Sequence, residues 1–122
     1  MKQYTIKRDG QRNLTFQGEL IAEAHGRWQN GREQNRWTDL TLYKTAGGKY
    51  VLQNEYNTQW QGEANSDDAW VLATAQEVYD KLTEDAIEHD SEQPLGRLDK
   101  ELLEDAATAD PAFVALLVEA VD

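Results

Sequence analysis

Hydrophobic and polar residues alternate along the first part of the chain and recur at helical spacing along the second. From Leu14 to Ala24 the even positions are Leu14, Phe16, Gly18, Leu20, Ala22 and Ala24, while most odd ones are polar and Ile21 is the exception. A period of two over this length predicts a long half-buried strand, with Gly18 marking a bulge or bend. Ahead of it, Tyr4 and Ile6 alternate with polar residues in a short first strand, and Asp9-Gly10 is a turn signal. Residues 37–45 and 49–56 are two strand-forming runs joined by Ala46-Gly47-Gly48. Aromatic and β-branched side chains fit a pleated surface, and a short glycine-containing connection suits a hairpin. Leu40 and Leu42 fall on one face of it, with Trp37, Asp39, Thr41 and Tyr43 on the other. Neither face is cleanly polar, so cover on parts of both sides is expected. Residues 25–36 read as a loop, residues 57–62 as a turn or short edge strand carrying Trp60, and residues 65–68 as a polar link.

The run 69–74 (AWVLAT) either opens a helix capped at Ser66 or forms a final strand. The strand is preferred, because Thr74 and Glu77 have the spacing of a capping box, in which each side chain accepts from the other residue's amide. A helix over 75–89 then buries Val78, Tyr79, Leu82 and Ala86. After a loop at 91–96, a second helix over 97–107 places Leu98, Leu102 and Leu103 on one side. Asp110-Pro111 starts a third, with Asp as the cap and Pro at the first helical position. Its body is apolar almost all round, so it is expected to be covered on most sides, inserted between sheet and helices in preference to packing on a second copy. The fold predicted is α+β: one domain with an antiparallel sheet of about five strands and two or three helices packed on one face. Residues 1–74 are mainly β, and residues 75–122 mainly α and strongly acidic.

Length and composition narrow the classes. A chain of 122 residues supports a single core. The absence of cysteine excludes disulfides and thiolate metal sites. No secretory leader is recognised, and the longest apolar run is about half of a membrane span. A soluble cytoplasmic protein with no membrane association is expected. The formal charge is −11, and it is divided unevenly: residues 1–60 carry a net +3 and residues 61–122 a net −14. Such a field repels nucleic acid and steers basic partners, so direct nucleic-acid binding is not expected.

Catalytic chemistry is not visible. His25 and His89 have no ligand-spaced partner, and Ser66 and Ser91 sit in no nucleophile elbow. Gly47-Gly48 lies inside a hairpin and is no phosphate loop. The carboxylates are not placed as an acid/base pair, and the calcium-loop pattern is absent. The chain is therefore expected to be no enzyme, with no catalytic residues, no metal site and no cofactor. Two binding surfaces remain. One is a pair of acidic ridges along the helices, Asp85, Glu88 and Glu92 on the first and Asp99, Glu101, Glu104 and Asp105 on the second. The other is the sheet face with its adjoining loops: Arg27, Trp28, Arg32, Trp37, Asp39, Tyr43 and Trp60.

Phe16-x-Gly18-Glu19, the run from Arg36 to Thr45 (RWTDLTLYKT), Gly47-Gly48-Lys49-Tyr50-Val51, Trp60-Gln61-Gly62-Glu63 and the run from Leu95 to Leu102 (LGRLDKEL) form a connected pattern over roughly 14–106. In these motifs the chain resembles a group of small uncharacterised bacterial proteins carried on phages, plasmids and integrated mobile elements. The hairpin is also distantly similar to the sheet of an actinobacterial repressor family, whose DNA-binding segment precedes the sheet; no such segment is expected here. The first resemblance brings no catalytic residues. It implies an anti-defence context, in which an acidic protein of the anti-CRISPR kind offers carboxylates where a host nuclease or surveillance complex expects phosphates. A non-enzymatic module docking on such a protein partner is the leading expectation. A dimeric regulatory or antitoxin-like module and a small-ligand binder with an aromatic pocket on the sheet are the alternatives.

Overall fold

A computed structural model describes residues 1–26, 36–59, 62–88 and 95–118, with the backbone alone at Arg36 and residues 85–88. The elements are β1 (Lys2–Ile6), β2 (Leu14–His25), β3 (Arg36–Thr45), β4 (Tyr50–Thr58), β5 (Ser66–Leu72), α1 (Ala75–Glu88), α2 (Arg97–Ala109) and a 3-10 helix (Pro111–Leu116). The five strands form one antiparallel sheet in sequence order, β1-β2-β3-β4-β5. The fold is α+β.

The β3–β4 hairpin is central, as its composition predicts. Thr45 N donates to Lys49 O at 2.8 Å and Gly48 N to Thr45 O at 3.0 Å. Gly48 has φ of 86°, a left-handed conformation that a side chain disfavours. Alternate residues of the hairpin serve two different cores. Leu40, Leu42, Tyr50 and Leu52 join Ala22 and Ala24 beneath the helices, with Val78, Leu102, Leu103, Ala106 and Phe113 closing the cluster. On the opposite face Tyr43, Val51, Ala69 and Ile6 form a second cluster, with Tyr4, Leu14 and Phe16 packed against it.

Two cores exist because β2 serves two partners. Its first part pairs with β1 from Leu14 to Gly18, and its second with β3 from Gly18 to His25. The sheet curls, so that Tyr4 and Phe16 lie 4.7 and 5.5 Å, centroid to centroid, from the Tyr43 ring. Asp9, beyond β1, then closes on β5. Its amide donates to Asp67 O, and its carboxylate accepts from Asp67 N, both at 2.8 Å. At Gly18 a Cβ would collide with the Lys44 carbonyl, so only glycine lets the strands approach there. The bulge lies further on, where the register shifts between Leu20 and Ala22. It accounts for Ile21, whose side chain interrupts the alternation yet is buried in the main core.

Several sequence expectations are corrected. The polar link at 65–68 is largely strand, since β5 begins at Ser66. Asp67 is accommodated there because its amide and carbonyl are taken by Asp9. The capping box is half formed. Glu77 N donates to the Thr74 hydroxyl at 3.1 Å, but the Glu77 carboxylate accepts from Ala73 N at 2.6 Å, one residue earlier than expected. The third helix has the predicted start, with Ala112 N donating to Asp110 Oδ1 at 3.0 Å. It is a short 3-10 helix that buries Phe113 fully and leaves Val114 49% exposed, so it is not covered on most sides. Phe113 inserts between sheet and helices, its ring edge-on to Tyr50 at 5.2 Å.

Candidate partner-binding surfaces

The helical layer has an apolar inner side and an acidic outer one. α1 directs Val78 and Thr83 inward, both fully buried, and half-buries Tyr79 and Leu82. Thr83 satisfies its hydroxyl internally by donating to Tyr79 O at 3.0 Å. Glu77, Asp80 and Glu84 are exposed on the outside. Lys81 lies over the Trp70 ring, 4.6 Å from its centroid, and pairs with Glu84 at 2.8 Å. α2 buries Leu102, Leu103 and Ala106 and exposes Glu101, Glu104 and Asp105.

The ridge predicted on α2 is divided by its structural duties. Asp105 is tied to the sheet, its Oδ2 accepting from Glu23 N at 3.0 Å. Asp99 sits in the first turn of α2 and accepts a hydrogen bond from the Gly96 amide. Burial outweighs that bond and raises its pKa to about 6. An acidic residue there complements the positive end of the helix, where Gly96 supplies no side-chain cap. Glu101 and Glu104 are exposed on the outer side of the helix. The side chains of Asp85 and Glu88, and all of Glu92, Arg27, Trp28, Arg32 and Trp60, lie outside the described residues.

Comparison with known proteins adds nothing to this geometry. No family model, curated protein or solved structure matches the chain.

The second face of the sheet is not an exposed aromatic patch. Tyr43 is buried beneath Tyr4 and Phe16, donates to Gln53 Oε1 at 3.2 Å, and has its pKa raised by burial. Beyond this cluster the register aligns four ionisable residues on one face: His25 opposite Asp39, Asp39 opposite Glu55, and Glu55 opposite Asp67. Trp37 Nε1 and Asn57 Nδ2 donate to Asp39 Oδ2 at 3.3 and 3.1 Å. Asp39 Oδ1 is shielded from solvent and accepts no hydrogen bond among the described residues, with His25 Nδ1 3.5 Å away. Burial, then Asp67 and Asp39, raise the pKa of Glu55. Lys7 approaches Asp67 at 3.9 Å and Glu23 approaches His25 at 3.8 Å. Of the predicted sheet-face residues, the row contains Asp39, with Trp37 bonded to it; Tyr43 belongs to the apolar cluster. Among the described residues no group of three ligands could hold a metal ion.

Sequence reasoning also passed over Asp110 as anything but a cap. Its Oδ2 accepts from the Tyr50 hydroxyl at 2.5 Å and from Lys44 Nζ at 3.0 Å. Burial opposes ionisation, but the Tyr50, Ala112 and Lys44 donors prevail and lower its pKa. The hydrogen bond to Asp110 raises Lys44, and burial raises Tyr50. This cluster joins the carboxyl-terminal segment to the central hairpin and is accounted for by folding. Among the described residues no helix is long and apolar enough to cross a membrane.

Proposed function

We propose that the protein is a non-catalytic binding module that docks the acidic outer side of its helices on a basic surface of a protein partner. The most specific form of this reading is an anti-defence inhibitor of the anti-CRISPR kind, presenting carboxylates to a host nuclease complex in place of phosphates. One observation carries it. The inward sides of α1 and α2 supply the core, while Glu77, Asp80, Glu84, Glu101 and Glu104 face outward on the same two helices. Like charge gathered on one surface opposes compaction but steers a basic partner and raises its association rate. The slightly basic amino-terminal half limits the mimicry to this one side of the molecule. An aromatic ligand site at Tyr43 gains no support, because that ring is already packed by Tyr4 and Phe16.

The test is protection of incoming phage DNA in cells carrying an active CRISPR nuclease. The protein should protect. A variant in which Asp80 is replaced by Asn, and Glu84, Glu101 and Glu104 by Gln, should fold and lose most of that protection. Undiminished protection by this variant would remove the acidic mechanism.

A further inference from the structure

Among the described residues the outer edge of β5 is open at one place, and a groove adjoins it. Asp67 directs its amide and carbonyl away from β4, since both bond to Asp9. Strand parity therefore turns the amides and carbonyls of Ala69 and Val71 the same way. Ala69 is buried in the second cluster, but Val71 is 49% exposed, and among the described residues no hydrogen bond reaches its outward groups. Just past it, Ala73 N is taken by the Glu77 carboxylate. On the helix side of this edge Leu72, Glu77, Asp80, Lys81 and Glu84 line a groove of about 530 Å³. Lys81, the one cation among the described lining residues, is drawn onto Trp70 and Glu84.

We propose that the edge of β5 at Val71, with the groove under α1, docks an extended segment of the protein partner whose side chains alternate basic and apolar. This rests on reading the protein as an acidic binding module and names where on the helical layer the partner sits. An added strand has two faces. One set of its side chains lies over the groove beside Asp80 and Glu84, where positive charge is complementary. The other set lies beside the exposed Val71 side chain, which suits an apolar residue. Backbone bonds to Val71 fix the register, as in other strand additions. Asp9 shows that the edge accepts such pairing: its amide gives Asp67 O one strand-like bond, and its side-chain carboxylate stands where a sixth strand's carbonyl would receive Asp67 N. By covering Asp67 it also confines the addition to the end of β5 nearest α1.

The probe is an end-blocked octapeptide alternating lysine and valine, titrated into the full chain at moderate salt and followed by amide NMR shifts. The largest shifts are expected at Val71, Leu72 and Ala73. Val71→Pro removes the outward amide while sparing the β4 ladder, because an edge proline is tolerated when its nitrogen faces away from the neighbouring strand. It should weaken binding at least tenfold with the shift dispersion intact. An Asp80→Lys, Glu84→Lys double variant, which leaves the strand unaltered, should weaken it as much. Shifts centred on Glu101 and Glu104 or on the His25–Asp67 row, or unchanged affinity in the double variant, would overturn the proposal. The DNA-protection assay separates the two readings. If the double variant and Val71→Pro protect fully while the fourfold neutralised variant does not, the edge is the wrong place and the acidic module stands. If the fourfold variant also protects, the module reading itself fails.

Discussion

The two faces of the one sheet solve the same packing problem differently. Beneath the helices, Leu42, Leu52, Val78, Leu102, Leu103 and Phe113 form a continuous apolar core delivered by two strands and three helical elements. On the other side a small cluster around Tyr43 is covered, among the described residues, by β1 and the first half of β2, and it gives way directly to the His25–Asp39–Glu55–Asp67 row. Stability should therefore be concentrated on the helix side. The opposite side tolerates half-buried charge because part of it stays open to water.

Truncating each face in turn gives the largest effects. Phe113→Ala should cost about 4 kcal/mol in urea unfolding, because the ring is fully buried against Tyr50. Phe16→Ala, on the half-covered face, should cost about half as much. Equal costs would erase the distinction between the faces. Next is Asp110→Asn, expected to lose about 2 kcal/mol at neutral pH, since it weakens charge-assisted bonds from Tyr50 and Lys44. The folded pKa of Asp110 lies below its ordinary value, so its contribution is complete above the ordinary carboxylate range and is lost as pH falls through the lowered value. The variant should lack that part of the acid-induced loss.

Smaller effects run in the opposite direction with pH. Asp99 is raised to about 6, so the folded state holds its proton more tightly than the unfolded chain does. Wild-type stability should fall as pH rises from roughly 4 to 6, by about 1 kcal/mol once solvent screening is allowed for. Asp99→Asn should remove that slope in denaturant titrations at a series of pH values. Glu55→Gln should be the mildest, a gain of about 0.5 kcal/mol or less at pH 7, because the ionised form of Glu55 is the disfavoured one. A loss of more than that would mean that the Glu55 carboxylate is a needed acceptor in the row.

Local pattern made most of this fold legible. The hairpin, the Thr74 cap and the Asp110-Pro111 start rest on short-range chemistry and appear where expected, and the strand preferred at 69–74 is present but displaced to Ser66–Leu72. What was not legible depends on register between distant segments. Asp39 stood out because of its face on β3, but nothing local aligns it with Glu55 and Asp67 or sets His25 beside it. Asp99 and Asp105 look like surface charge from spacing alone. Their roles depend on the Gly96 amide and on Glu23 N, the latter 82 positions away. The apolar 3-10 segment misled for a different reason: composition counts every apolar residue alike, while the fold buries mainly Phe113.

Strand order that copies sequence order has a kinetic consequence. Each strand pairs with the one just made, so the sheet can assemble as successive hairpins without waiting for remote residues, a route that favours fast folding. During synthesis the sheet is complete in principle once Leu72 emerges, yet Leu40, Leu42 and Leu52 then have no helices above them. The segment that follows is the one bearing most of the negative charge. Its arrival supplies the missing cover and, through mutual repulsion between nascent copies, discourages half-finished sheets from meeting one another.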